Sequence, residues 1–203
     1  MNKTKEIIIV ADPMCSWCWG FETVIQKLRD ELSNEVKFSL TLGGLRNSGE
    51  QAWDNAFKTY LRKHWNSVEE KTGQGFNPNI LEREVFDYDT EPACRAVVTV
   101  RTLDKTKQFS FFKALQKTFY LRAEDITQTD VIAEVASAEG VDKTAFIELF
   151  GSDEIKEKTK TDVYKARSMG ANVFPSIVLI DEEGHLCVIK GYKSYEEIRR
   201  LVY

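Results

Sequence analysis

Cys15-Ser16-Trp17-Cys18 is the run in this chain best equipped for chemistry. The two cysteines follow an apolar run, Glu6 to Ala11, and the turn Asp12-Pro13, and they stand where a helical pattern opens. A helix N-terminus carries unpaired N–H groups and partial positive charge. A thiolate there is stabilised, so the placement predicts an activated nucleophile at Cys15. A two-residue spacer lets a second thiol reach any mixed disulfide made by the first, which predicts Cys18 as the resolving thiol. A zinc pair is the competing use of this spacing. It needs two more ligands, and Cys94, Cys187, His64 and His185 show no ligand spacing, so no metal is expected. A second segment, Val173-Phe174-Pro175-Ser176, stands directly before a strand pattern, where a proline is tolerated and would by itself be only a breaker.

The elements that must position these residues can be read from periodicity. The continuous β-branched run within Glu6 to Ala11 predicts a strand buried on both faces. From about Ser16 to Leu32 the spacing is helical, with Phe21, Val24, Ile25 and Leu28 on one face. Val36 to Leu42 alternates as a second strand closed by Gly43-Gly44, which gives a parallel β-α-β opening. Residues 47 to 170 carry only helical signals. One helix contains Trp53, Phe57, Tyr60 and Leu61, and the next is capped by Thr90 with Pro92 in its first turn. Others centre on Phe111, Leu115 and Phe119 or open at Thr129, Asp142 and Asp153. Ser176 to Ile180 is a strand, residues 181–184 a hairpin turn, Leu186 to Ile189 the return strand, and Ser194 to Val202 a last helix. The expected architecture is α/β, with 1–46 and 169–203 forming the sheet domain and 47–168 an inserted helical domain.

Bulk composition narrows the function. The 203 residues are 42% hydrophobic and 30% charged, with net charge -4. A weakly acidic chain argues against nucleic acid or an anionic membrane as partner. No stretch approaches the roughly 18 apolar residues of a membrane span. Met1 to Lys5 has the charge of a leader head, but the apolar run after it is too short and no cleavage site follows, so a cytoplasmic protein is expected. Four cysteines are too few for a disulfide scaffold, which leaves catalytic or metal-binding use.

The run Asp12-Pro13-Met14-Cys15-Ser16-Trp17-Cys18-Trp19-Gly20-Phe21, the segment Gly43-Gly44-Leu45-Arg46 and the segment Thr90-Glu91-Pro92-Ala93-Cys94-Arg95-Ala96 together carry a resemblance. The chain resembles DsbA-like proteins of the thioredoxin superfamily, in their FrnE-like branch. The resemblance implies a thioredoxin fold with a large all-helical insertion, and a cis-proline loop of Phe174 and Pro175 that faces the cysteines and pairs with extended substrate. It also implies disulfide exchange without a cofactor.

Departures from the pattern matter. The buried acid that many such proteins carry six residues before the first cysteine is Ile9 here. Asp12 is the nearest acid and a candidate proton acceptor for Cys18, with an Asp-Pro turn as the simpler reading. The dipeptide Ser16-Trp17 lacks the histidine of periplasmic DsbA, which predicts a potential nearer the thioredoxin end of a range of about -120 to -270 mV. Trp17 is read as substrate-facing and Trp19 as core. Gly43 and Gly44 are read as a strand end, Cys187 as core, and Cys94 as a small buried residue or a third thiol at the site.

The expected activity is that of a protein disulfide oxidoreductase of the DsbA family. In a reducing cytosol it would run as a reductase or isomerase. Its partners would be disulfide-containing proteins, peptides or small thiol compounds, and a recycling thiol. Two alternatives stand beside it. One is a glutathione-dependent transferase or isomerase of the kappa type, whose members usually carry Ser where Cys15 stands. The other is a redox-sensing adaptor or holdase that binds through the helical part.

Overall fold

The computed structural model describes residues 4–46 and 51–202. The Met1 start of the leader-like run and the expected boundary at 47 lie outside them. Strand β1 (Thr4–Ala11) is central because its β-branched residues bury both faces: Ile7, Ile8, Ile9 and Val10 are all at most 2% exposed. It pairs in parallel with β2 (Lys37–Leu42), Ile9 opposite Leu40, and antiparallel with β3 (Ser176–Asp181), Val10 opposite Ser176. Strand β4 (Leu186–Lys190) pairs antiparallel with β3, giving the order β2-β1-β3-β4.

The two-residue period of β1 sorts its side chains between two packing faces. Ile7 and Ile9 join the main core with Leu28 of α2 (Glu22–Leu32) and Ile198 of α9 (Tyr195–Val202). Ile8 and Val10 meet Val178, Ala171 and Ala166, the last on α8 (Asp153–Ser168). Each such fully buried aliphatic side chain stabilises the fold by about 1.5–3 kcal/mol. Between β2 and β3 in the chain come α3 (Asn55–Thr72), α4 (Glu91–Leu103), α5 (Gln108–Tyr120), α6 (Thr129–Ala138), α7 (Lys143–Phe150) and α8. Their apolar faces continue the main core through Phe111, Phe119 and Phe146. Among the described residues no helix is long and apolar enough to cross a membrane.

Three expectations change. The helix expected over 16–32 is divided into α1 (Ser16–Gly20) and α2, with Phe21 ending one and starting the other. The break follows Gly20, where a Cβ would stand 2.6 Å from Val68 Cγ1, so α3 packs against the bare backbone there. Cys187 is exposed and not core, because β4 is an edge strand on which only Ile189 is buried. Thr90 does occupy the N-cap position of α4, but its side chain makes no cap hydrogen bond.

The other edge strand, β2, is held by an ion pair. Arg101 on α4 grips Asp162 on α8 through two hydrogen bonds of 2.9 Å and donates to the Leu40 carbonyl at 2.8 Å. Asp162 accepts from the Leu42 amide at 3.0 Å. The pair thereby satisfies strand groups that an edge would otherwise leave open.

Candidate active site

The register of the two central strands creates the site. Val10 lies opposite Ser176, so the loop leaving β1 and the loop entering β3 meet at one end of the sheet. The first loop turns at once, with the Cys15 amide donating to the Asp12 carbonyl at 3.1 Å. Cys15 is the extended N-cap residue of α1 (φ -88°), and Cys18 lies inside that helix. From the second loop the Phe174 carbonyl comes within 3.7 Å of the Cys15 thiol, which donates to it across 159 residues of sequence. The Phe174–Pro175 peptide is cis, and the Pro175 carbonyl accepts from the Gly191 amide at 2.8 Å.

The two thiols have different surroundings. Cys15 retains 5% exposure, whereas Cys18 has none. Burial pushes the Cys18 thiol well above its ordinary range, and the hydrogen bond and charge of Cys15 push it further. The pair therefore offers one thiol on a residue that borders a cavity and one protonated, fully buried thiol behind it.

Asp12 is fully buried and its carboxylate accepts four hydrogen bonds. Oδ1 accepts from the Met14 amide at 2.9 Å. Oδ2 accepts from the Leu45 amide and the Thr90 hydroxyl, both at 2.8 Å, and from the Cys94 thiol at 3.3 Å. Three of the four donors thus converge on Oδ2 and one on Oδ1. Burial raises its pKa and the hydrogen bonds oppose that rise. Cys94 is buried against Asp12, and burial together with that charge keeps its thiol well above its usual range. Tyr88 closes the loop from the other side by donating to the Met14 carbonyl at 2.8 Å.

Trp17 is half-buried and tilts against Tyr192 with ring centroids 5.9 Å apart. Trp19 is buried, stacks on Tyr120 and donates to the Gly75 carbonyl at 3.1 Å. Gly43 does more than end a strand: a Cβ there would lie 2.0 Å from Phe174 Cε1, so the phenyl ring fills the space. Tyr88 is not legible as a site residue, whereas Gly43 and Thr90 stand in segments that carry the resemblance; all three reach the loop only through the fold. Cys15 opens on a cavity of about 570 Å3 that also reaches Gly43, Arg46, Tyr88 and Phe174. One exposed cluster, Asp181, Glu183 and His185, brings metal-ligand atom types together, but it lies in the β3–β4 turn, away from the cysteines.

The chain is similar to known proteins over nearly its whole length. A family model described as Thioredoxin matches residues 9–200. A crystal structure of a candidate protein disulfide isomerase from Nitrosomonas europaea superimposes with TM-score 0.89 at 34% identity, covering 98% of this chain and 96% of that one. The cytosolic disulfide reductase DsbM from Pseudomonas aeruginosa gives TM-score 0.78 at 21% identity, covering 97% and 92%, a likeness of fold. The ClpXP adapter protein SpxH of Shouchella clausii is 23% identical over 194 residues, 96% of this chain. This chain spans only 64% of that adapter's length.

Proposed function

The chain belongs to the thioredoxin family, as a DsbA-like member with helices between β2 and β3, and from that premise we propose that it is a thiol–disulfide oxidoreductase working through Cys15 and Cys18. One observation carries the reading: Cys15 borders a cavity with its sulfur against the Phe174 carbonyl, while Cys18 is fully buried behind it. The Cys15 thiolate attacks one sulfur of a substrate disulfide, forms a mixed disulfide and releases the other half as a thiolate. Cys18 then loses its proton, attacks the Cys15 sulfur and releases the second half. The substrate gains two electrons and the protein retains a Cys15–Cys18 disulfide, which an external thiol must reduce.

Trp17, Phe174 and Pro175 are the proposed substrate-facing rim, and Asp12 the proposed acceptor for the Cys18 proton. The favoured direction is reduction or isomerisation in a cytoplasmic setting, where the resting form is the dithiol. Cys18→Ser should accumulate a mixed disulfide on Cys15 when mixed with a disulfide-containing peptide, and Cys15→Ser should accumulate none. Equal trapping by the two variants would overturn the assignment. Redox titration of the native pair reads the direction, with a value near -120 mV arguing for oxidation instead.

A second reading is favoured by the SpxH similarity, which covers nearly the whole chain. In it the chain is an adaptor whose cysteine pair senses redox state. It predicts partner binding that persists in the Cys15→Ser, Cys18→Ser double variant.

A further inference from the structure

The cavity beside Cys15 has a charge opposite to that of the chain. The sequence has 32 acidic and 28 basic residues, yet among the described residues no Asp or Glu lines this cavity, whereas Arg46, Arg167 and His64 do. The groove on the far side of Trp17 and Phe174 carries Glu70 beside Lys71. Positive charge is thus concentrated on the side where the Cys15 sulfur opens.

Arg46 is held there by its backbone. Its amide donates to Thr90 Oγ1 at 3.3 Å, its carbonyl accepts from the Thr90 amide at 3.1 Å, and the preceding Leu45 amide is bound by Asp12. The guanidinium lies over the Phe57 ring, 4.8 Å from its centroid. Gly44 makes the turn that brings Arg46 round, with φ 62°. Arg167 enters from the exposed end of α8. Among the described residues neither guanidinium is within ion-pair distance of a carboxylate, unlike Arg101 with Asp162. A cation held by its backbone, as Arg46 is, and two guanidiniums without a counter-ion among the described residues are suited to meet an anion brought by the substrate. A volume of about 570 Å3 falls in the range of small-molecule sites and admits a short flexible disulfide.

We propose that the preferred substrates are low-molecular-weight disulfides bearing carboxylates, with Arg46 and Arg167 as the specificity-determining residues. The proposal rests on the exchange reaction above. The Cys15 thiolate takes one half of the small disulfide as a mixed disulfide and expels the other as a carboxylate-bearing thiolate. Arg46 and Arg167 hold the carboxylates and so set which disulfide is positioned for attack. Because the chain is net negative, its overall field disfavours anions, and any preference for them must arise locally.

The test uses the reduced full-length chain carrying Cys187→Ser, which removes the exposed thiol. It compares dithiodipropionate, bis(2-hydroxyethyl) disulfide and cystamine, which are anionic, neutral and cationic. Rates at Cys15 are followed by mass and normalised to those of a free small-molecule thiolate. The expected result is a preference of at least tenfold for the anion over the cation, weakening as salt is raised. Arg46→Gln and Arg167→Gln should each lower it about fivefold with the neutral disulfide unaffected. No charge preference, or one that survives both substitutions, overturns the proposal and leaves the oxidoreductase reading standing. Equal slowing of all three disulfides by both variants also overturns it, since that marks a structural role. Failure of Cys15 to react with any disulfide overturns both.

Discussion

The ring of Phe174 stands where a side chain on Gly43 would begin, with Cε1 2.0 Å from the Cβ position. The same Phe174 offers its carbonyl to Cys15 at 3.7 Å. A methyl group at Gly43 should therefore act on the cysteine from a distance. Gly43→Ala is expected to cost about 1–3 kcal/mol through overpacking and to slow disulfide exchange about tenfold, as a ~1 Å displacement of a positioning group does. Urea unfolding and a disulfide-reduction assay measure the two effects. Adding Phe174→Ala should recover part of the stability, and strictly additive losses would show that the ring and the glycine do not meet.

Asp12→Asn should destabilise the protein by about 2–4 kcal/mol. An amide presents one acceptor oxygen in place of two, so either the Met14 amide or the set of Leu45 N, the Thr90 hydroxyl and the Cys94 thiol meets an NH2 group instead of an acceptor. Thr90→Val removes one donor to Asp12 and also the acceptor of the Arg46 amide, and should cost about 1–2 kcal/mol. Thermal unfolding of both variants ranks them, and a harmless Asp12→Asn would remove the carboxylate from the centre of the loop.

Alkaline pH should unfold the reduced protein early. Burial holds the Cys18 and Cys94 thiols well above their ordinary value of 9.0, so the native state keeps protons that the unfolded chain releases. Where the native state binds more protons, stability falls as pH rises. Each thiol should contribute a loss of about 1.4 kcal/mol per pH unit above that value. Urea midpoints at pH 8, 9 and 10 under a reductant check this, and Cys94→Ala should make the decline shallower. A midpoint independent of pH over that range contradicts the assignment.

Breaking the Arg101–Asp162 pair should loosen β2. Asp162→Ala leaves a mostly buried guanidinium without its carboxylate and frees the Leu42 amide, which should cost about 3 kcal/mol. Replacing both partners by apolar residues of similar size should cost much less, because no charge is then stranded. The double-variant cycle in thermal unfolding reports the difference.

Much of this protein is legible in its sequence. The β-branched run of β1, the alternation of β2 and the helical spacing between them specify a parallel β-α-β opening, because local periodicity decides which faces can be buried. The spacing of Cys15 and Cys18 and their place at a helix start specify a dithiol for the same local reason. Tertiary structure decided the rest. Asp12 is a turn residue in sequence and a carboxylate bound by four donors in the fold, because Leu45, Thr90 and Cys94 arrive from 33, 78 and 82 residues away. Cys187 alternates like a core residue but lies exposed on an edge strand. Gly43 reads as punctuation until the Phe174 ring occupies its missing side chain. Sequence pattern fixes which residues must leave water. Only the pairing of β1 with β3, a contact between distant segments, determines what those residues meet when they do.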